Sequence, residues 1–397
     1  MSPTVRYIVF VSVVSLLTGG VHYYLWTRLV RDVGLQGPLA RLGTGVLIGL
    51  AAALFVGPLL ARNVGGEVSR LSATVAFTWM GTLMLLMLLL GSGEFARWAS
   101  GLVQRLVGSG NEETIASPER RLFFARMLGG GAAAGAFALG GTAYASAQRE
   151  PKIVRVDVPL KRLPRALDGF KIVQISDLHV SATITRPYVE KVVELANRLQ
   201  PDLVALTGDL MDGSVEGLAN DFAPLGDLKS THGSFAVTGN HEYYSGADGW
   251  IAHMTSLGIK TLRNEHVSIG DGDASFDLAG IDDRTAHRFG KGHGADIEAA
   301  TNDRDSTREL VLLAHQPSQI HDVMGHDVGL QLSGHTHGGQ IWPWGYLVRL
   351  VHPYLAGLHL HLGKTWIYVS RGTGYWGPPM RLAARHELTL LTLRSET

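Results

Sequence analysis

The chain has 397 residues, enough for a membrane anchor and one large soluble domain, and its 35 basic and 35 acidic residues cancel to a formal net charge of zero. That balance gives no electrostatic footprint for nucleic acid, so none is expected as a partner. The absence of cysteine excludes a disulfide framework, thiolate zinc sites and a cysteine nucleophile, whereas 17 histidines, several in short motifs with acids and glycines, point to imidazole chemistry.

In chain order, the first part is apolar and nearly free of charge. Val5 to Trp26, Leu42 to Leu60 and Leu71 to Leu90 are each long enough to cross a bilayer, which takes about 20 apolar residues. A fourth run, Leu122 to Ala147, is rich in Gly and Ala. It comes after Glu119-Arg120-Arg121-Leu122-Phe123-Phe124, which resembles a twin-arginine export signal, and small-residue cleavage patterns lie at Ala143-Tyr144-Ala145 and Ala145-Ser146-Ala147. Its distance from the N-terminus favours a retained helix. If Arg120, Arg121 and Arg126 are cytoplasmic, then so are Arg28, Arg31, Arg41, Arg97 and Arg105, against Arg6, Arg62 and Arg70 outside. This bias predicts a multi-pass protein of the cell membrane with its soluble domain on the extracytoplasmic side. Few charges fall within the first three spans, which argues against a transport pathway; His22 is the main exception.

From Lys152 onward short apolar runs alternate with Gly, Asp and His clusters, the pattern of an α/β protein. Lys171 to Ser176 ends in Asp177-Leu178-His179, and a helix is predicted over Pro187 to Leu199 from the spacing of Val189, Val192, Val193 and Ala196. Leu203 to Thr207 ends in Gly208-Asp209. Ser234 to Thr238 precedes Gly239-Asn240-His241-Glu242, Leu310 to Ala314 precedes His315, and Val328 to Ser333 precedes Gly334-His335-Thr336-His337. Each predicted strand thus delivers polar residues at its C-terminal end, where open α/β sheets build their sites. Strand alternation would place Asp177 and His179 on one face to grip a single ion. A carboxylate, imidazole and amide set suits divalent Mn, Fe or Zn, and two such ions can clamp a phosphate and activate water. The glycines before Asp209, Asn240 and His335 permit tight turns and close approach to substrate.

Taken together and in this order, these blocks resemble the calcineurin-like metallophosphoesterase superfamily over about Lys171 to Leu393. The runs Gly334 to Gln340 and Tyr368 to Gly374 look like its bacterial membrane-associated branch. The resemblance implies a four-layer α/β/β/α sandwich preceded by an all-α transmembrane region. It implies that Asp177, His179 and His337 hold one divalent metal, that Asn240, His315 and His335 hold a second, and that Asp209 bridges them. His241 would contact the phosphate and protonate the leaving oxygen, and a metal-bridging hydroxide would attack phosphorus. The implied organisation is three spans over 1–91, a cytoplasmic connection over 92–121, a fourth span or signal over 122–147, a linker and first strand over 148–170, and a catalytic domain over 171–397.

The implied substrate is a phosphorylated small molecule or lipid at a bilayer, with a phosphodiester or pyrophosphate bond. Alternatives are a broad phosphomonoesterase or nucleotide phosphodiesterase, the output domain of a membrane sensor, or a binding scaffold. Asp212 and Glu242 are either hydrogen-bond partners of the ligands or solvated loop acids. Arg371 is expected to serve its loop rather than substrate. His287 and His293, in the polar stretch Asp282 to Arg308 that reads as an exposed loop and helix, are not expected to be ligands. Ile341 to Leu362, with Trp342, Trp344, Tyr346 and Leu350, is expected to pack on the domain's own sheet, the alternative being contact with a membrane interface.

Overall fold

The computed structural model describes residues 2–64, 66–106 and 117–396, and the chain divides into two compact units, one up to Thr142 and one from Ala143. Four of the described helices are long and apolar enough to cross a membrane: α1 (Pro3–Trp26), which continues through a π-helical turn to Arg31, α2 (Gly37–Asn63), α3 (Gly66–Leu106) and α4 (Pro118–Ala147), whose last residues from Ala143 belong to the second unit. Large apolar side chains such as Leu16, Leu17, Ile48 and Leu71 are exposed on them, as lipid-facing residues would be. Helix α3 runs to Leu106, past Leu90 where hydropathy placed the end of the third span. Hydropathy marks only the apolar part of a helix; backbone hydrogen bonding continues into the polar turn around Glu94 and Arg97. The expected connection over 92–121 lies partly outside the described residues. His22 is satisfied by its neighbours: Trp79 Nε1 donates to its Nε2 (3.0 Å) and Nδ1 lies 2.8 Å from the Thr18 carbonyl.

The second unit contains two six-stranded sheets among its described residues. One takes the order β1-β12-β2-β3-β4-β5, from β1 (Lys152–Leu160), β2 (Lys171–Ile175), β3 (Leu203–Thr207), β4 (Ser234–Val237), β5 (Ile259–Thr261) and β12 (Glu387–Ser395). The other runs β10-β11-β9-β8-β7-β6, from β6 (Glu265–Asp271), β7 (Ala274–Gly280), β8 (Leu310–Leu313), β9 (Leu330–Ser333), β10 (Gly357–His361) and β11 (Thr365–Val369). The strands β2 to β5 pair in parallel, as do β7, β8, β9 and β11. Strands β3, β4, β8 and β9 are buried at every residue; β8 is accordingly an unbroken apolar run, while Gln331 and Ser333 of β9 are buried polar residues that bond to each other.

Alternate residues of these strands serve different layers. Leu203 and Ala205 join Val311, Leu313 and Leu332 in a core between the sheets, while Val204 and Leu206 face helices. Those helices are α5 (Arg186–Arg198), α6 (Val215–Phe222) and α8 (Ala247–Ser256), which contribute Val189, Val192, Phe222, Trp250 and Met254. Each fully buried valine or leucine here contributes about 1.5–3 kcal/mol by leaving water. On the far side, Leu310 and Leu312 pack with Ala300, Ile320 and Val323. The layers are therefore helix, sheet, sheet, helix, the arrangement expected from the sequence. The C-terminal ends of β2, β3 and β4 from one sheet and of β8 and β9 from the other carry the motif residues.

Candidate metal centre

Strand β2 stops at Ile175, so Asp177 and His179 are not strand residues. Both have φ near +52°, as do Asp209 (53°) and His337 (52°), with His335 at 70°. Side-chain alternation along a strand, the reason expected for their shared face, is not what brings Asp177 and His179 together. A left-handed backbone at each residue turns both side chains inward. Such conformations cost of order 1–3 kcal/mol each in non-glycine residues and persist where surrounding contacts impose them.

Backbone bonds between neighbouring loops impose them here. Asp177 N donates to Gly208 O (3.0 Å), His179 N to Asp209 O (3.1 Å) and Gly334 N to His315 O (2.9 Å). Gln174 Nε2 ties the two sheets by donating to Thr207 Oγ1 (2.8 Å) and Ser333 O (3.0 Å). The glycines permit close approach within the chain itself, Gly208 to Gly239 and His315, and Gly239 and Gly334 to carboxylates. A β-carbon at Gly239 would collide with Asp209 Oδ1, and one at Gly334 with Ser176 Oγ and Asp177 Oδ2.

Two clusters result. One donor atom each from Asp177, His179 and His337 lie within 4.8 Å of one another, and so do those of Asp209, His315 and His335. His179 Nε2 stands 3.1 Å from His337 Nε2, and His315 Nε2 stands 3.2 Å from His335 Nδ1 and 3.0 Å from Asp209 Oδ2. The clusters adjoin: His335 N donates to Asp177 Oδ1 (2.8 Å), and His241 N, at the start of α7 (Asn240–Ser245), donates to Asp209 Oδ1 (2.8 Å).

Ring orientation is set from behind. His315 Nδ1 lies 2.7 Å from the Thr207 carbonyl and His179 Nδ1 3.1 Å from Asp212, so each ring is held from behind at Nδ1 and turns its Nε2 toward the cluster. Asp212 also receives His241 Nδ1 at 2.5 Å. The grouping of His179, Asp212 and His241 is a hydrogen-bonded chain, because Asp212 meets the Nδ1 atom of each ring. Glu242 accepts from the backbone N–H groups of Asp209 (3.0 Å), Leu210 (2.7 Å) and Gly239 (2.6 Å), clamping the Asp209 loop. Glu242 is buried and clamps the Asp209 loop, while Asp212, partly exposed, holds the rings of His179 and His241. Asp212→Asn is expected to weaken binding of Mn²⁺ by about 10–100-fold, the usual cost of losing such a partner. Calorimetric titration checks this, and an unchanged affinity would remove the orienting role.

Charge obeys the same geometry. Burial raises Asp177, while Asp209, also buried, is held well below the ordinary carboxylate range by His315 and His241. Burial pulls His335 down to about 3, with His315 adding to it, and burial, His179 and Arg381 hold His337 low. Both are thus neutral imidazoles with lone pairs available. Burial disfavours charge on His241, but Asp209 and Asp212 outweigh it and push it up to about 9.

These residues fit a pair of divalent cations. Asp177 Oδ2 and Asn240 Oδ1 are buried and find no hydrogen-bond partner among the described residues. A stranded carboxylate oxygen is costly unless something positive faces it. The two carboxylates and four imidazoles of these clusters, with the Asn240 amide oxygen if it joins them, would make a mixed donor set of the kind Mn, Fe and Zn accept.

Several contributors leave no mark in the sequence. Arg381 is fully buried, donates to His337 O (2.8 Å) and Arg371 O (2.8 Å), and lies 3.2 Å from His337 Nδ1. It sits between Met380 and Leu382, where nothing distinguishes it from a surface arginine. Trp376 and Tyr244 pack edge-on against His241 at 5.7 and 5.2 Å. Asp282 and Asp283 open a stretch expected to be exposed, yet both are buried. Asp282 pairs with Arg263 (2.9 Å) and Asp283 accepts from Gln316 Nε2 (2.9 Å), next to His315. Arg371 pairs with Glu387 (2.8 Å). His287 Nδ1 lies 3.0 Å from Arg284 O and His293 Nδ1 3.0 Å from Arg263, and neither belongs to the clusters.

Residues 170–339 match the family model for calcineurin-like phosphoesterases. An uncharacterized metallophosphoesterase of Bacillus subtilis is 32% identical over 286 residues, covering 70% of this chain and 98% of that protein. The chain belongs to the calcineurin-like phosphoesterase family. A zebrafish (Danio rerio) transmembrane protein with metallophosphoesterase domain is 40% identical over 256 residues, and an uncharacterized metallophosphoesterase of Helicobacter pylori strain J99 is 41% identical over 244. The matches cover 63% and 61% of this chain; the chain spans 59% of the zebrafish protein's length and 64% of the Helicobacter one. Among solved structures, a phosphopantetheinyl hydrolase from Mycobacterium tuberculosis shares 12% identity at a TM-score of 0.34, covering 54% of this chain and 96% of its own.

Proposed function

We propose that this phosphoesterase is anchored in the cell membrane and hydrolyses phosphodiester or pyrophosphate bonds of lipid-linked substrates on the extracytoplasmic side. The observation that carries the hydrolytic reading is the convergence of six donors from four chain segments, with Asp177 Oδ2 unpartnered among them and Asn240 Oδ1 buried and unpartnered beside His241, whose N–H meets Asp209. Asp177, His179 and His337 would hold one divalent ion, Asn240, His315 and His335 the other, and Asp209 would be shared. Such a pair, when bound, neutralises charge on the phosphoryl oxygens and makes water a nucleophile at neutral pH. Asp212 and the Thr207 carbonyl hold the rings of His179 and His315 from behind at Nδ1. Glu242 keeps the Asp209 loop in place. His241, with Nδ1 held by Asp212 and its ring confined by Trp376 and Tyr244, keeps a proton on Nε2 for the departing oxygen.

The membrane reading draws on the four apolar helices and on relatives named as transmembrane proteins. The arginine bias supports the extracytoplasmic side. The test is a panel of bis-p-nitrophenyl phosphate, p-nitrophenyl phosphate and long-chain lipid phosphodiesters and pyrophosphates, with full-length protein in proteoliposomes. The expected outcome is turnover of diesters and lipid-linked substrates that EDTA stops and Mn²⁺ restores. Turnover of the monoester alone would replace this reading with a broad phosphomonoesterase.

A further inference from the structure

The segment after the second His of Gly334-His335-Thr336-His337 departs most from expectation. Packing against the domain's own sheet accounts for Ile341, which is buried, but not for the residues from Trp342 to Val351. Trp344 is 51% exposed, Tyr346 68%, Leu350 81% and Val351 73%, with Trp342 and Leu347 also exposed. These side chains stand on a defined scaffold. Successive turns are closed by Tyr346 N to Pro343 O (3.0 Å), Leu347 N to Trp344 O (2.9 Å), Arg349 N to Gly345 O (3.1 Å) and Val351 N to Val348 O (3.1 Å). The base is fastened by Trp342 N to Leu382 O (3.0 Å) and Thr336 Oγ1 to Leu355 O (2.6 Å).

We infer that the protrusion Trp342 to Val351 is a bilayer-docking face, seated at the boundary between headgroups and acyl chains. The inference rests on the membrane anchoring proposed above. Six apolar or aromatic side chains presented together by one ten-residue segment are more than the scattered exposure normal for a soluble surface. The chemical mixture selects the occupant. Trp and Tyr rings, apolar with one polar edge, concentrate at the headgroup level of membranes, while Leu347, Leu350 and Val351 suit the acyl boundary and exposed Arg349 suits anionic headgroups. A partner protein or a second copy would use the apolar area equally well, but the bilayer is already tethered: only Gln148 to Pro151 separate the end of α4 from β1. Four residues span at most about 14 Å, so the face meets the membrane at a high effective concentration and weak insertion suffices. The face also reaches the metal cluster, since His352 packs edge-on against His335 at 4.9 Å. Docking would set the depth at which the cluster meets a phosphate.

The chain has no native cysteine, so single substitutions can be labelled uniquely. Full-length Leu350→Cys carrying an environment-sensitive NBD group is reconstituted in phosphatidylcholine–phosphatidylglycerol vesicles containing doxyl-labelled lipid. Leu16→Cys, in α1, reports on anchoring, and Ser306→Cys, on an exposed loop, reports on water. The expected result is blue-shifted emission quenched by doxyl lipid at 350 and 16 but not at 306. An aqueous, unquenched signal at 350 with a quenched one at 16 would overturn docking and leave anchoring intact. Aqueous signals at both would overturn anchoring and docking together. Self-quenching at 350 that rises with protein density, without doxyl quenching, would assign the face to a second copy and overturn the proposal.

Discussion

Asp209→Asn protein is expected to retain its fold and lose metal-dependent hydrolysis by well over the roughly 100-fold that removal of an outer hydrogen-bond partner costs. Asn preserves the side chain's size and can still accept from His241 N, so the loop keeps that bond. What disappears is the negative charge at the junction of the clusters, with Oδ2 3.0 Å from His315 Nε2. An uncharged amide is a weak ligand for two cations at once. The measurement is thermal unfolding with and without Mn²⁺, alongside turnover. Wild-type protein is stabilised by whatever metal it binds in the folded state, and the variant should show little of that gain. A variant with the wild-type rise in melting temperature and wild-type turnover would remove Asp209 from the centre.

The second large effect is expected at His241. Delivery of a proton by a placed side chain is worth about 10²–10⁴-fold, and the benefit grows as the leaving oxygen becomes more basic. His241→Ala should therefore lose that factor on diesters with alkoxide leaving groups and far less on p-nitrophenyl esters, whose phenolate departs unaided. In the metal-free protein Asp209 and Asp212 push His241 up to about 9, and Asp212 holds its Nδ1. A uniform loss across a series of leaving groups would show that the residue binds phosphate without giving up a proton.

Asp212 shows where reading residues in order reaches its limit. As an isolated acid three positions beyond Asp209 it is as consistent with a solvated loop as with a partner of the ligands. The fold makes it the shared acceptor for His179, in the β2 loop, and His241, after β4. Arg381 is silent in the sequence because a cation in an apolar run has no periodicity to mark it, and only burial against His337 gives it meaning. The Trp342 to Val351 segment misleads for the converse reason: apolar character predicts burial on average, and only accessibility distinguishes a core from a docking face.

The sequence by itself determined the apolar helices, the strands that end in motif residues and the order of the motifs, because hydrophobic periodicity and chain order are local properties. It also determined which residue types stand at the strand ends, and hence the family. Tertiary structure alone decided how Asp177 and His179 come to face one point. That depends on left-handed backbone at φ near +52°, held by bonds to the Gly208–Asp209 turn, and no spacing rule encodes it. Contacts between segments more than a hundred residues apart, such as His315 Nδ1 with Thr207 O, set which nitrogen of a ring faces the cluster, and these exist only once the two sheets have packed.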